Sequence, residues 1–201
     1  TTIKIYCTPS EININVDAAR NLVRDQLPEC RVMSLDTEWD VNKNAGGCIV
    51  GQGTVALIQL GFRIASDGPI HVLLLQVYNK KTLPDRLVEL LADTSITFVG
   101  RAIAGDMAKI GRDFSNATNI KQIVKTLDLG IMARARDVVR SGTVGLECLV
   151  ERVLNEKLSK APSVRLSQWS VSQLSQEQIN YSALDVIKAL EVFFKLKDMP
   201  D

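Results

Sequence analysis

Apolar positions along this chain recur with a strand's period of two in some stretches and with helical spacing in others. Ile3 to Cys7 alternates and predicts a first short strand. From Val16 to Leu27 the apolar positions Val16, Ala19, Leu22, Val23 and Leu27 mark one helix face, and Pro28 stops it. Val32 to Asp36 predicts a second strand, and Asn42 to Gly53, with Gly46, Gly47, Gly51 and Gly53, a long hairpin connection. Thr54 to Phe62 and Ile70 to Val77 are β-rich runs parted by Ser66-Asp67-Gly68-Pro69, as in an antiparallel meander. Pro84 to Leu91 predicts a short helix with proline at its start, and Ile96 to Val99 a buried strand ending at Gly100.

From about residue 103 onward the pattern is helical, most clearly over Val144 to Leu154 and Ser175 to Leu196. Ser175 followed by Gln178 has the spacing of a capping box ahead of the apolar face. Strands first, with helices interspersed and then dominating, predict an α/β domain built on a mixed sheet. Length and the lack of any linker or repeat favour one domain over residues 1–201.

One stretch stands apart. The apolar residues Val32, Met33 and Leu35 run into Asp36 and Glu38, two positions apart, so strand geometry points both carboxylates at one face. Two anions so placed repel each other and cost desolvation unless a cation or solvent neutralises them. A solvated strand end and a cation site both fit this stretch taken alone. The Gly51-x-Gly53 pair leads into a strand instead of a helix, so it reads as turn chemistry and not as a phosphate cradle.

Hydrophobic content of 46% and charged content of 23% exclude the disordered class. The longest apolar runs, such as Val72 to Leu75 and Leu87 to Leu91, are too short to span a bilayer, so no membrane partner is expected. Cys7, Cys30, Cys48 and Cys148 are scattered without a CxxC pair, which argues against zinc or a disulfide framework. They point to a reducing intracellular compartment, nuclear or cytoplasmic; the sequence begins at Thr1, and no targeting segment is visible. Residues 101–165 hold 12 Lys+Arg against 7 Asp+Glu, and the remainder 12 against 16. A basic half beside an acidic site suits a polyanionic substrate, although mixed solvated surfaces are common.

Two further acidic residues stand at element ends or faces. Asp106 follows the strand ending at Gly100 and opens a helix, where it also suits the helix dipole with no chemistry attached. Asp185 and Tyr181 form an i,i+4 pair beside the core stripe Ile179, Ala183, Val186 and Leu190, so they reach one place; many such pairs are merely boundary residues. The only histidine, His71, lies in a strand-like run and reads as structural. Asp36, Glu38, Asp106 and Asp185 together offer the oxygen ligands that hard divalent cations prefer.

Leu-Asp36-Thr-Glu38-Trp, then Gly-Asp106-Met-Ala-Lys-Ile with Arg112-Asp113-Phe114, then Tyr181-Ser-Ala-Leu-Asp185 resemble, in order, the three motifs of the DEDD 3′–5′ exonucleases. Tyr181 four residues before Asp185, with Asn at position 180, is similar to the tyrosine subgroup. Val164-Arg-Leu-Ser-Gln-Trp169 followed by Leu174 to Tyr181 is similar to the exonuclease domain of the Werner syndrome helicase and to ribonuclease D relatives. The resemblance covers roughly residues 30–197.

What it implies is a ribonuclease-H-like fold with a mixed five-stranded sheet flanked by helices. It also implies an enzyme that hydrolyses phosphodiester bonds at the 3′ end of a nucleic acid and releases nucleoside 5′-monophosphates, using two divalent cations, Mg2+ or Mn2+. By the same resemblance Asp36 bridges both ions, Glu38 and Asp185 complete the tighter site, and Asp106 holds the second ion through water. Tyr181 orients the attacking water as the general-base candidate, although a phenol is a poor base at neutral pH, which favours positioning as its contribution. Thr37, Trp39, Arg165 and Trp169 fall where relatives meet substrate, with packing as the alternative for the two tryptophans. The implied partner is single-stranded or 3′-recessed DNA or RNA, and no motif reveals which of the two or the oligomeric state. A catalytically weak nucleic-acid-binding or scaffolding module of the same fold is the alternative function. The chain departs from the family pattern at Arg101, where many relatives carry a small or amide side chain, and in the glycine-rich Asn42 to Gly53.

Overall fold

The computed structural model describes residues 1–65, 68–158 and 162–199. Its elements run β1 (Thr2–Tyr6), α1 (Pro9–Arg24), β2 (Val32–Lys43), β3 (Ile49–Arg63), β4 (Ile70–Gln76), α2 (Asp85–Leu91), β5 (Thr97–Gly100) and α3 (Ile103–Asp113). There follow α4 (Ile120–Ile123), β6 (Thr126–Asp128), α5 (Leu129–Ala135), α6 (Leu146–Leu149), α7 (Pro162–Arg165) and α8 (Gln176–Lys197). The strands form one mixed sheet in the order β1-β4-β3-β2-β5-β6. β2, β3 and β4 pair antiparallel, whereas β1 on β4, β5 on β2 and β6 on β5 are parallel.

Strand alternation divides the sheet's side chains between two cores. Val32, Leu57, Val72, Leu74 and Val99 face α8 through Val186 and Leu190. Met33, Leu35, Ile58, Leu60, Leu75 and Phe98 face the other way, against Ile12 and Val16 of α1, Leu87 of α2 and Ile103, Met107 and Ile110 of α3. The sheet buried on both faces is the arrangement expected of an α/β fold.

Three features differ from the sequence reading. The sheet has six strands and not five, because the three-residue β6 pairs with β5 through Phe98–Thr126, Val99–Leu127 and Gly100–Asp128. Helix α1 begins at Pro9 instead of Val16: the Thr8 hydroxyl accepts the Glu11 N–H, the Glu11 carboxylate accepts the Thr8 N–H, and proline occupies the first turn. The glycine-rich connection is mostly ladder, with Val41, Asn42 and Lys43 paired to Gln52, Gly51 and Ile49 across register shifts. The expected turn around Ser66 and Asp67 lies outside the described residues. Among the described residues no helix is long and apolar enough to cross a membrane.

Helix α8 is seated closely on the sheet. The Ser34 hydroxyl of β2 donates to the Val186 carbonyl of α8 at 2.7 Å. Gly61 of β3 makes room for this, since a Cβ there would stand 2.5 Å from Ser34 Oγ and 3.3 Å from Val186.

Candidate active site

β2 carries Asp36 and Glu38 to the α8 face, one step beyond the Ser34 anchor, and α8 brings Asp185 in the residue just before Val186. The result is a cluster in which carboxylate oxygens of Asp36, Glu38 and Asp185 lie within 4.8 Å of one another. Glu38 and Asp185 are buried, at 8% and 2% exposure, so solvent does little to relieve the mutual repulsion. An all-oxygen donor set at this spacing fits a hard divalent cation of the Mg2+ or Mn2+ kind.

The cluster opens into a cavity of about 390 Å3, whose wall includes Thr37, Trp39, Arg101, Arg165 and Tyr181. Tyr181 is buried one turn before Asp185 on α8. Burial first, and then the charges of Asp185, Glu38 and Asp36, hold its phenol far above the ordinary tyrosine value. It therefore stays protonated at neutral pH, where the phenol can donate a hydrogen bond.

Asp106 is held apart from the cluster. It lies on the first turn of α3, on the side of the sheet that Thr37 faces, and its Oδ1 accepts the Thr37 hydroxyl at 2.6 Å. Burial raises its pKa to about 6, against the lowering effect of the Thr37 hydrogen bond. The turn that launches α3 is itself braced: Ala102 has a left-handed φ of 58°, and Asp128 accepts its N–H at 2.7 Å. Asp128 also pairs with Arg101 at 3.2 Å, and the Arg101 Nε donates to the Val144 carbonyl. Arg101 thus spans from the cavity wall to the loop before α6.

Trp39 lies partly exposed at the cavity, with the Lys109 ammonium 4.9 Å from its ring centroid. Lys109 is buried, donates to the Gly53 carbonyl at 2.6 Å and pairs with Asp113 at 3.0 Å, while Asp113 accepts the Val55 N–H at 2.9 Å. This network ties α3 to the start of β3 and backs the indole. Arg165 on α7 is exposed at the cavity wall. Trp169, grouped with it by resemblance, is fully buried and stacks obliquely on Tyr181 with ring centroids 6.1 Å apart. It packs against the tyrosine and does not line the cavity.

Sequence reading overlooked Asp40, Lys109 and Asp128. The Asp40 carboxylate accepts the backbone N–H of Trp169 and, at 3.1 Å, that of Ser170. It links the strand end of the site to the loop ahead of α8 across 129 residues of chain, a partnership with no local signature.

A family model described as 3′–5′ exonuclease matches residues 14–201. The chain belongs to the 3′–5′ exonuclease family. A 3′–5′ exonuclease of Drosophila erecta is 29% identical over 196 residues, 97% of this chain and 52% of that one. The chain spans about half the length of the curated relatives it matches first. Among solved structures, Escherichia coli RNase D, an exoribonuclease involved in structured RNA processing, superposes with a TM-score of 0.69 at 22% identity over 98% of this chain and 44% of that one. Brucella melitensis NrnC with bound Mg2+ gives a TM-score of 0.64 at 20% identity over 99% and 82% of the two chains, and the same protein bound to pGG gives 0.63 at 22% identity, over 99% and 81%. These likenesses bear on the fold, and the matched family region spans all three residues of the carboxylate cluster.

Proposed function

We propose that this exonuclease-family chain removes nucleotides one at a time from the 3′ end of a nucleic acid by hydrolysis, releasing nucleoside 5′-monophosphates, and that two divalent cations are its cofactors. The observation that carries the reading is the convergence of Asp36, Glu38 and Asp185 within 4.8 Å. Three anions at that distance, two of them buried, are a standing electrostatic cost that bound cations remove. The Mg2+ bound in the NrnC structure is in keeping with this choice of ion.

Asp36, Glu38 and Asp185 would hold the cations, with Asp106 reaching the second ion through water. When bound, such ions lower the pKa of a water nucleophile and stabilise the charge on the departing 3′ oxygen. The chain's own groups do the rest. Tyr181, protonated and held against Trp169, donates a hydrogen bond that orients the attacking water. Trp39 offers its face to the terminal base, and the exposed Arg165 offers a guanidinium to a backbone phosphate. The substrate is single-stranded or 3′-recessed DNA or RNA.

The test is digestion of labelled single-stranded DNA, recessed duplex DNA and RNA side by side, with Mg2+ or Mn2+ and with EDTA. Asp36→Ala and Asp185→Ala are expected to abolish degradation while leaving the fold intact. Full activity in either variant would sink the reading.

A further inference from the structure

Gln59 lies in the middle of β3, directly opposite Asp36 on β2 and opposite Leu74 on β4. Residues facing each other across antiparallel strands project to the same side, with Cβ atoms about 4.5–5.5 Å apart. Gln59 therefore shares the α8 face with Asp36 and Glu38, one ladder step from the carboxylate cluster. Its exposure is 0%.

Other buried polar side chains near this face are satisfied. Ser34 donates to Val186, Ser182 donates to the Gln178 carbonyl at 2.7 Å, and Gln76 donates to the Val171 carbonyl at 2.9 Å while accepting from Cys7. Gln59 differs from all of them: among the described residues neither its Oε1 nor its Nε2 has a hydrogen-bond partner. A buried amide with nothing to bond is costly, and methionine or leucine would fill the same space without that cost. The folded chain alone gives Gln59 no use for its amide, and Asp36 is the acidic residue in register with it.

We infer that Gln59 is a positioning residue for the carboxylate site, its Nε2 donating to the Asp36 carboxylate as a divalent cation draws that carboxylate into its ligand orientation. Held at one oxygen by the amide, Asp36 presents the other to the cation, the service that groups behind metal ligands commonly perform. The inference rests on the proposed reading of Asp36, Glu38 and Asp185 as cation ligands. A trapped water on the Gln59 amide, with no tie to the site, is the competing explanation.

The full chain is compared as wild type, Gln59→Met, Gln59→Asn and Leu74→Met, the last altering packing beside Gln59 without touching the amide. Two readouts are taken without nucleic acid: Tm in EDTA, and Mn2+ affinity by titration calorimetry. Gln59→Met is expected to raise Tm by about 2–4 °C, because it removes an unsatisfied amide, and to weaken Mn2+ binding about 10-fold. Gln59→Asn, one methylene short, weakens binding as well, and Leu74→Met leaves it unchanged. Unchanged Mn2+ affinity in folded Gln59→Met overturns the assignment, as does an equal loss in Leu74→Met. If Gln59→Met does not fold, Gln59→Asn decides by the same criterion; if neither folds, the amide is structural and the assignment fails. Wild type that binds no Mn2+ removes the cation reading itself, a result distinct from wild type that binds normally beside an indifferent Gln59 variant.

Discussion

The Thr37 hydroxyl donates to the Asp106 carboxylate at 2.6 Å, joining β2 to the first turn of α3 on the sheet face opposite Asp36 and Glu38. One strand thus handles four carboxylates in two ways, gathering three on the α8 side and restraining the fourth on the other. Burial moves the Asp106 pKa from 3.8 to about 6, so the folded, metal-free chain binds a proton there more tightly than the unfolded chain does. The associated stability is complete below the unfolded value of 3.8 and is lost as pH rises through about 6. Asp106→Asn, which mimics the protonated group, is expected to gain Tm relative to wild type between pH 4 and pH 7 in EDTA. Thermal melts at both pH values check this, and a constant difference between the two proteins contradicts it.

Burial, and then the charges of Asp185, Glu38 and Asp36, push the Tyr181 pKa upward, so its phenol is protonated at neutral pH and can donate a hydrogen bond. Tyr181→Phe removes the orienting hydroxyl without removing a titrating group. It is expected to lower kcat about 10- to 100-fold, the scale of a misplaced reactant, with the pH–rate profile unchanged in shape. Loss of one limb of that profile would make the tyrosine a base after all.

Gly61 lets α8 sit close enough for Asp185 to meet Asp36. Gly61→Ala would place a methyl group 2.5 Å from Ser34 Oγ and 3.3 Å from Val186, so either the Ser34 hydroxyl gives up its bond to Val186 or the helix shifts. The expected cost is about 1–3 kcal/mol in urea unfolding, with a larger loss of activity than of stability because the carboxylate spacing changes. A variant that is destabilised yet fully active would separate the helix position from the chemistry.

Asp40 holds the loop that seats Trp169 against Tyr181. Asp40→Ala leaves the Trp169 and Ser170 N–H groups unpaired, which is expected to cost about 1–3 kcal/mol and to lower kcat with little change in KM. Asp40→Asn, which keeps one acceptor oxygen, recovers part of both. Steady-state kinetics of the two variants distinguish a supporting role from a substrate contact, which would appear in KM.

The pairing of Asp36 with Glu38 was legible because a two-residue spacing in a strand fixes a shared face whatever surrounds it. Tyr181 and Asp185 were legible for the corresponding helical reason. The missed elements have physical explanations. β6 spans only Thr126–Asp128, too short for any period to register, and exists through its pairing with β5. The start of α1 was announced by Thr8-Pro9 and Glu11, but the exposed Ile14 obscured the helical face. Gly51 read as a turn residue because its cross-strand pairing with Asn42 is a tertiary event that composition does not carry. Lys109 reaches Gly53 across 56 residues, and Asp40 reaches Trp169 across 129, so neither leaves a local pattern. Gln59 looked like any polar residue in a strand until its burial and register with Asp36 were known.

The most direct measurement of the central claim is the product analysis of a 5′-labelled single-stranded oligonucleotide incubated with the chain and Mn2+. The cluster of Asp36, Glu38 and Asp185 predicts a ladder shortening one nucleotide at a time from the 3′ end, release of nucleoside 5′-monophosphates, and abolition of both by EDTA or by Asp36→Ala. Degradation that persists in EDTA, or that proceeds at the wild-type rate in Asp36→Ala, would contradict it.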